Sequence, residues 1–408
     1  MERRLRRREL RLRCKGRLVA LAIGKAAARM AAAAERVLGD RLDESLAVGS
    51  ARPDARLRRT RFLVAGHPLP DGRGMRAARE ALALAEALTA DDVLLVLLSG
   101  GASALLPAPV PGVSLRDKAA LTALLLRRGA TIHELNAVRK HLSRIKGGGL
   151  ARAARPARVV TLALSDVVGD EPSTIGSGPT VPDPTRYADA IAALRARGCW
   201  NQAAPSIRRH LLAGARGAVA ETPKPGDRDL PRGSFEIVGS NRLSLEAAAR
   251  EARHAGFRAL VLTHRLEGEA REAGRTLLTV LRACLETGRP ARPPVCLLAS
   301  GETTVSVRGR GRGGRNQELV LACVEPLARF PRPAVVASLA TDGVDGRSDA
   351  AGAVADDTSL ARAGARRLAP PQAFLLENDS NGFLAALGDL IVTGPTGTNV
   401  LDLSLLLG

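Results

Sequence analysis

The residues of this chain best suited to chemistry are glycines, hydroxyls, scarce lysines and clustered carboxylates at the ends of short apolar runs. Ser99-Gly100-Gly101-Ala102-Ser103 follows the run Val93–Leu98. Glycine lets a backbone approach an anion closely, and a helix starting behind it offers free N–H donors. The chain has no GxxxxGK[ST], and no GxGxxG opens a βαβ unit, so neither a P-loop nor a dinucleotide fingerprint is present. Only six lysines stand against 55 arginines, so each lysine carries weight. Lys25 follows an apolar run and a glycine, which puts its ammonium within reach of the strand ends. Lys140 and Lys146 lie in His133–Gly149, a basic helix closing on glycines. There Asn136, Arg139 and Lys140 take adjacent helical positions suited to clamping an anion, although a solvated face explains them as well.

Carboxylates supply the other half of a phosphoryl-transfer site. Asp166, Asp170 and Glu171 follow one apolar run, and Asp342, Asp345 and Asp349 follow another. Magnesium takes one or two carboxylates together with waters and substrate phosphates, so such a set suffices, and the spacing is not that of a calcium EF-hand. Two more loops are phosphate-sized. Gly309–Glu318 mixes glycine with Arg310, Arg312, Arg315 and Asn316, and Thr393-Gly394-Pro395-Thr396-Gly397-Thr398-Asn399 offers hydroxyls and backbone N–H groups. Single loops of this kind are ambiguous, but together with lysine and carboxylates they point to phosphoryl transfer, which needs positioning and charge stabilisation.

These loops require a scaffold of strands covered on both faces. Continuous apolar runs at Leu18–Ile23, Arg61–Ala65, Val93–Leu98 and Val159–Leu164 alternate with Ala/Leu/Arg-rich helical stretches, so a parallel sheet flanked by helices is expected. In such sheets ligands bind beyond the carboxyl ends of the strands. The Pro- and charge-rich stretch Glu221–Ser234 reads as a linker. Strands restart at Glu236–Val238, Ala259–Thr263, Val295–Ala299, Val335–Ala340 and Leu390–Thr393. Domains are therefore expected at 15–231 and 232–408.

Composition narrows the function classes. Hydrophobic residues at 45% fit a globular chain, and aromatics at 2% argue against modules that stack bases. The net charge of +20 comes mainly from arginine and is densest at Arg3, Arg4, Arg6, Arg7, Arg8, Arg11 and Arg13. A frayed terminus accounts for that run better than a polyanion-binding arm. Five scattered cysteines and the lack of an apolar stretch of about 18 residues suit a cytoplasmic protein with neither membrane nor nucleic-acid partner. A homodimer is left open.

In order along the chain, GKAA, GHPLPDG, LLSGGASALL, HELNAVRKHLSRIKGGGLA, LSDVVGDEPSTIGSGPTVPDP, SGETTV, GGRNQE, ATDGVDGRSDAAGA and TGPTGTNVLDL resemble the motifs of class II glycerate 2-kinases. These enzymes carry a C-terminal MOFRL domain and were once called hydroxypyruvate reductases. The resemblance implies transfer of the ATP γ-phosphoryl group to the 2-hydroxyl of D-glycerate, with a divalent metal, Mg2+. It also implies a larger Rossmann-like α/β/α domain with a parallel sheet, a smaller C-terminal α/β domain, and an active site in the cleft between them. On that likeness Lys25 and Arg315 are the catalytic cations. Ser99, Gly100, Gly101, Ser103, Asn136, Arg139, Lys140, Asn316 and the loop Thr393, Gly394, Thr396, Gly397, Thr398, Asn399 bind phosphate or carboxylate. Asp166, Asp342 or Asp345 holds magnesium or orients the hydroxyl. Two departures stand out: only the Arg-rich stub precedes the first strand, where the family has a helix, and Ala102 replaces a third glycine. The rival activities are reduction of hydroxypyruvate and RNA binding through the stub.

Overall fold

The computed structural model describes all residues except 1, 3–11, 13, 54 and 229. The basic run Arg3, Arg4, Arg6, Arg7, Arg8, Arg11 and Arg13 lies outside the described residues. Two compact units result, residues 1–165 with 170–238, and residues 166–169 with 239–408. The division falls seven residues later than the sequence suggested, because the strand after the Pro-rich stretch joins the first sheet.

The first unit holds β1 (Leu18–Ile23), β2 (Glu44–Gly49), β3 (Thr60–Val64), β4 (Val93–Leu98), β5 (Arg158–Leu164) and β6 (Gly233–Gly239) in the order β3-β2-β1-β4-β5-β6. β1 to β5 are mutually parallel. Every residue of β1 and β4 is buried, which their unbroken apolar sequences require of strands covered on both faces. Alternate residues Leu18, Ala20 and Ala22 of β1 and Val93, Leu95 and Leu97 of β4 pack with Ala27, Met30, Ala31 and Ala34 of the helix Ala27–Leu38. This strand order is that of the Rossmann fold, whose switch point lies between the first and fourth strands. β2 escaped the sequence reading because its apolar run is only Leu46-Ala47-Val48.

The second unit holds β7 (Arg258–Leu266), β8 (Val295–Gly301), β9 (Val335–Ala340), β10 (Gly352–Asp356), β11 (Leu390–Ile391) and β12 (Asp402–Leu407), ordered β11-β10-β9-β12-β8-β7. Only β7 and β8 run parallel, and the remaining pairs are antiparallel. β12 inserts between β8 and β9, so the C-terminal residues sit at the centre of this sheet. Alternation along β8 serves both faces: Val295, Leu297 and Ala299 meet the helices Ala270–Thr287 and Arg315–Leu327, while Cys296 and Leu298 meet Leu245 and Ala249 of the helix Asn241–His254. Among the described residues no helix is long and apolar enough to cross a membrane.

Candidate active site

In the first unit the switch point is built from the ends of β1 and β4. Gly24 takes φ +124°, and a Cβ there would strike Ser99 Oγ and its carbonyl. The two strand ends are stitched together: Lys25 N donates to Gly100 O at 2.8 Å, Ala26 N donates to Ser99 Oγ at 3.1 Å, and Ser99 Oγ donates to Ile23 O at 3.2 Å. Ser99 therefore spends its hydroxyl on the scaffold, and the exposed Lys25 side chain is what this turn presents. Gly101, at φ +85°, caps the short helix Ala102–Leu105. A Cβ on it would lie 3.0 Å from the His67 ring and 3.5 Å from Lys25 Cγ, so these three groups are neighbours. Burial, then the Lys25 charge, lowers the pKa of His67. Ala102 is helical and buried with no positive φ, so its methyl group is accommodated.

Beside this turn a cavity of about 370 Å3 opens in the same unit, lined by Gly101, Ser103, Lys118, Arg139 and Lys146 among others. Lys146 Nζ donates to Ser103 O at 2.9 Å and to Ser103 Oγ at 2.7 Å. The chain of contacts continues from Ser103 Oγ to Ser177 Oγ at 3.2 Å and from there to Asn136 Oδ1 at 3.0 Å. Asn136 Nδ2 is buried with no hydrogen-bond partner among the described residues. Lys118 Nζ donates to Leu142 O at 2.7 Å. Burial, with Arg139 adding to it, pulls Lys118 down to about 7. Burial also pulls Lys146 well below its ordinary range, helped by Lys118 and Arg139, and lowers Arg139. Uncompensated positive charge in a buried place depresses basic pKa values in this way.

Lys140, expected in the anion clamp with Asn136 and Arg139, is a correction. Its Nζ donates to Asp183 Oδ1 at 3.1 Å, with both side chains buried. Around that pair His141 meets Glu221 at 2.8 Å, and Thr185 and Thr222 hydroxyls donate to Asp183. The arrangement is a buried structural pair in which neither charge is left over for a ligand. Conversely, the sequence reading gave Lys118 and His67 no role, and it named Lys146 only as part of the basic helix, without a site role. Lysine scarcity was the signal that would have found the two lysines.

In the second unit the candidates gather where the helix Arg315–Leu327 starts. Arg315 Nε and Nη2 meet the two oxygens of Asp402 at 2.5 and 3.1 Å, and its Nη1 meets Glu302 at 2.7 Å. Burial opposes the guanidinium charge, but these carboxylates hold its pKa above the ordinary value. Asp345 accepts from Asn316 N and Nδ2, both at 3.1 Å, and from Gln317 N and Nε2 at 2.9 and 3.0 Å. Its oxygens thereby satisfy the open N–H groups of a helix N-terminus, which corrects the expectation that it holds metal. Burial nonetheless raises its pKa.

The Gly309–Gly314 loop is likewise a packing element. Arg308 and Gly309 N–H groups donate to Asn378 Oδ1, Gly311 N to Glu377 O, and Arg312 N to Asp379 Oδ1. The 393–399 loop folds onto the end of β9: Thr396 N donates to Asp342 O at 3.0 Å and Thr396 Oγ1 to Thr341 O at 2.6 Å. Gly394 and Gly397 have φ +64° and +68°, and Thr393 Oγ1 donates to Gly394 O. Asn399 Oδ1 accepts from Leu401 N. Asp342 accepts from Val344 N at 3.2 Å. Asp166 lies just past β5, grouped with the second unit. In the same acidic loop Asp170 has φ +58° and a buried Oδ1 with no hydrogen-bond partner among the described residues.

Family models match this chain twice, one described as "Domain of unknown function (DUF4147)" over residues 1–212 and one described as "MOFRL family" over residues 295–402. A "Glycerate 2-kinase" of Pyrococcus horikoshii is 41% identical over 387 residues, covering 95% of this chain and 86% of its own. A protein of Agrobacterium vitis with a provisional hydroxypyruvate reductase name is 43% identical over 400 residues, covering 97% of this chain and 88% of its own. A crystal structure of a glycerate kinase from Thermotoga maritima superposes with a TM-score of 0.89 at 39% identity, covering 96% of this chain and 91% of that one.

Proposed function

The chain belongs to the MOFRL family of glycerate 2-kinases, and on that premise we propose that it moves the γ-phosphoryl group of ATP to the 2-hydroxyl of D-glycerate. The O2–Pγ bond forms as the bond from Pγ to the bridging oxygen breaks, giving 2-phosphoglycerate and ADP. The observation that carries this reading is the switch point, where a lysine and a left-handed glycine turn meet at the ends of β1 and β4. Lys25 stabilises negative charge on the transferring group, the largest contribution a positioned cation makes in such reactions. Arg315 does the same or holds the glycerate carboxylate, with Asp402 and Glu302 fixing its fork until the anion arrives. Asp166 orients the 2-hydroxyl and takes its proton.

Hard oxygen donors at strand ends suit Mg2+. The Asp170 Oδ1, without a partner among the described residues, is of that kind, whereas Asp345 is already filled. Asp342, at the end of β9, would hold the ion, which when bound neutralises phosphate oxygens. Hydride transfer to hydroxypyruvate has less support, since the chain has the Rossmann strand order but no dinucleotide fingerprint. Purified protein incubated with ATP, Mg2+ and D-glycerate tests the reading. Formation of 2-phosphoglycerate supports it, and NAD(P)H consumption with hydroxypyruvate in its place would reject it.

A further inference from the structure

The cavity of the first unit has a composition that a three-carbon acid alone does not explain. One wall is the helix Leu115–Arg127, capped by Ser114, whose side chain accepts from Asp117 N. Leu115, Lys118, Ala119, Thr122, Ala123 and Leu126 recur at helical spacing on one face of it, and all line the cavity. A single cation thus sits in the middle of an otherwise mostly apolar stripe. Arg139 and Lys146 close the same end, and no carboxylate lines the cavity among the described residues.

Buried cations are normally paired, because the desolvation of a lone charge is expensive. The chain follows that rule one residue away, where Lys140 is paired with Asp183. At the cavity the partners are neutral: Leu142 O for Lys118, and Ser103 O and Oγ for Lys146. Arg139 has no partner among the described residues. The floor is therefore built for an anion of several charges.

The mouth is built for something else. Leu69 is 76% exposed and Leu126 is 56% exposed, and both rim the opening. A large apolar side chain left in water at the edge of a pocket marks a contact made with a ligand or partner. A cavity of about 370 Å3 lies within the range of small-molecule sites. Glycerate would occupy the cationic floor and leave the aliphatic rim wet, whereas a nucleotide occupies both.

We propose that this cavity seats the nucleotide, with its polyphosphate toward Lys118, Arg139 and Lys146 and its base against Leu69, Leu115 and Leu126. The identity of the ligand rests on the phosphotransfer reading, but the test reads binding and not turnover. Titration of the full chain with a fluorescent N-methylanthraniloyl-ADP, alongside KM for D-glycerate, compares wild type with Leu126→Glu and Arg139→Gln. The first change is at an exposed rim position that folding tolerates, and circular dichroism checks both proteins. Each variant should bind the probe at least tenfold more weakly, and Leu126→Glu, changed only at the exposed rim, should keep KM for D-glycerate within twofold of wild type. Probe affinity within twofold of wild type in both folded variants, or no probe binding by wild type, would overturn the proposal. So would a rise in KM for D-glycerate with probe affinity intact, which would give the cavity to the acid. A protein that binds the probe as described yet forms no 2-phosphoglycerate would remove the kinase reading and leave the pocket assignment standing.

Discussion

Lys25 is the side chain on which the proposed chemistry leans most. It is exposed and lies outside every core, so Lys25→Ala should leave the melting temperature near that of wild type while lowering kcat by about two orders of magnitude or more. Steady-state kinetics on the folded variant checks this, and near-normal turnover would contradict it. Lys118 gives a different prediction. Its pKa of about 7 lies below the ordinary 10.5, so the unfolded chain binds more protons than the folded one between those values. Stability on its account is therefore lowest below pH 7 and rises as pH climbs. The clean window ends at about pH 8.5, where cysteine ordinarily ionises. Above it the buried thiols, Cys323 raised to about 12 by burial, pull the other way. Between pH 7 and that limit wild type should gain melting temperature relative to Lys118→Met, and equal slopes would contradict the assignment. Lys25 was legible in the sequence because a strand end and a glycine mark it. Lys118 was marked only by the scarcity of lysine, since it sits mid-helix and only the packing of that helix turns it inward.

Among the elements, the β1 and β4 turns carry the tightest constraint. Gly24→Ala forces a side chain into φ +124° and into Ser99, so it should cost about 2–4 kcal/mol in chemical denaturation. The start of the helix Arg315–Leu327 separates two aspartates that look alike in sequence. Asp345→Ala leaves four N–H donors without their acceptor and should cost about 3 kcal/mol, with the Mg2+ requirement of the folded fraction unchanged. Asp342→Asn should instead raise the Mg2+ concentration needed for half-maximal turnover. A Mg2+ shift in the first variant and none in the second would reverse these roles. The sequence could not tell the two apart, because whether an aspartate faces a helix end or a ligand is decided by tertiary packing. For similar reasons β10 and β12 went unseen. Gly352–Asp356 offers only small residues, and the alternating burial of Asp402–Leu407 depends on β8 and β9 on either side of it. The long apolar runs of β1, β4, β5 and β8 were legible because burial on both faces leaves no room for polar residues.

For the molecule as a whole, the net charge of +20 matters more for encounter than for fold. Both proposed substrates are anions, so kcat/KM should fall several-fold as salt is raised from low to well above physiological concentrations. A flat dependence would show that the charge does not steer them. Each of the two units has its own sheet and buried core, which the alternation of strand and helix patterns on both sides of the Pro-rich stretch made visible. The direction of the second sheet's strands was not visible, since antiparallel pairing there comes from long connections and not from local sequence. The Rossmann order without its dinucleotide fingerprint is the whole-molecule fact that separates kinase from reductase. Phosphoryl transfer to the 2-hydroxyl is read out by 31P NMR of the purified chain with ATP, Mg2+ and D-glycerate. 2-Phosphoglycerate and ADP should appear in equal amounts. A 3-phosphoglycerate signal, or no phosphorylated acid while hydroxypyruvate is reduced at the expense of NAD(P)H, would contradict it.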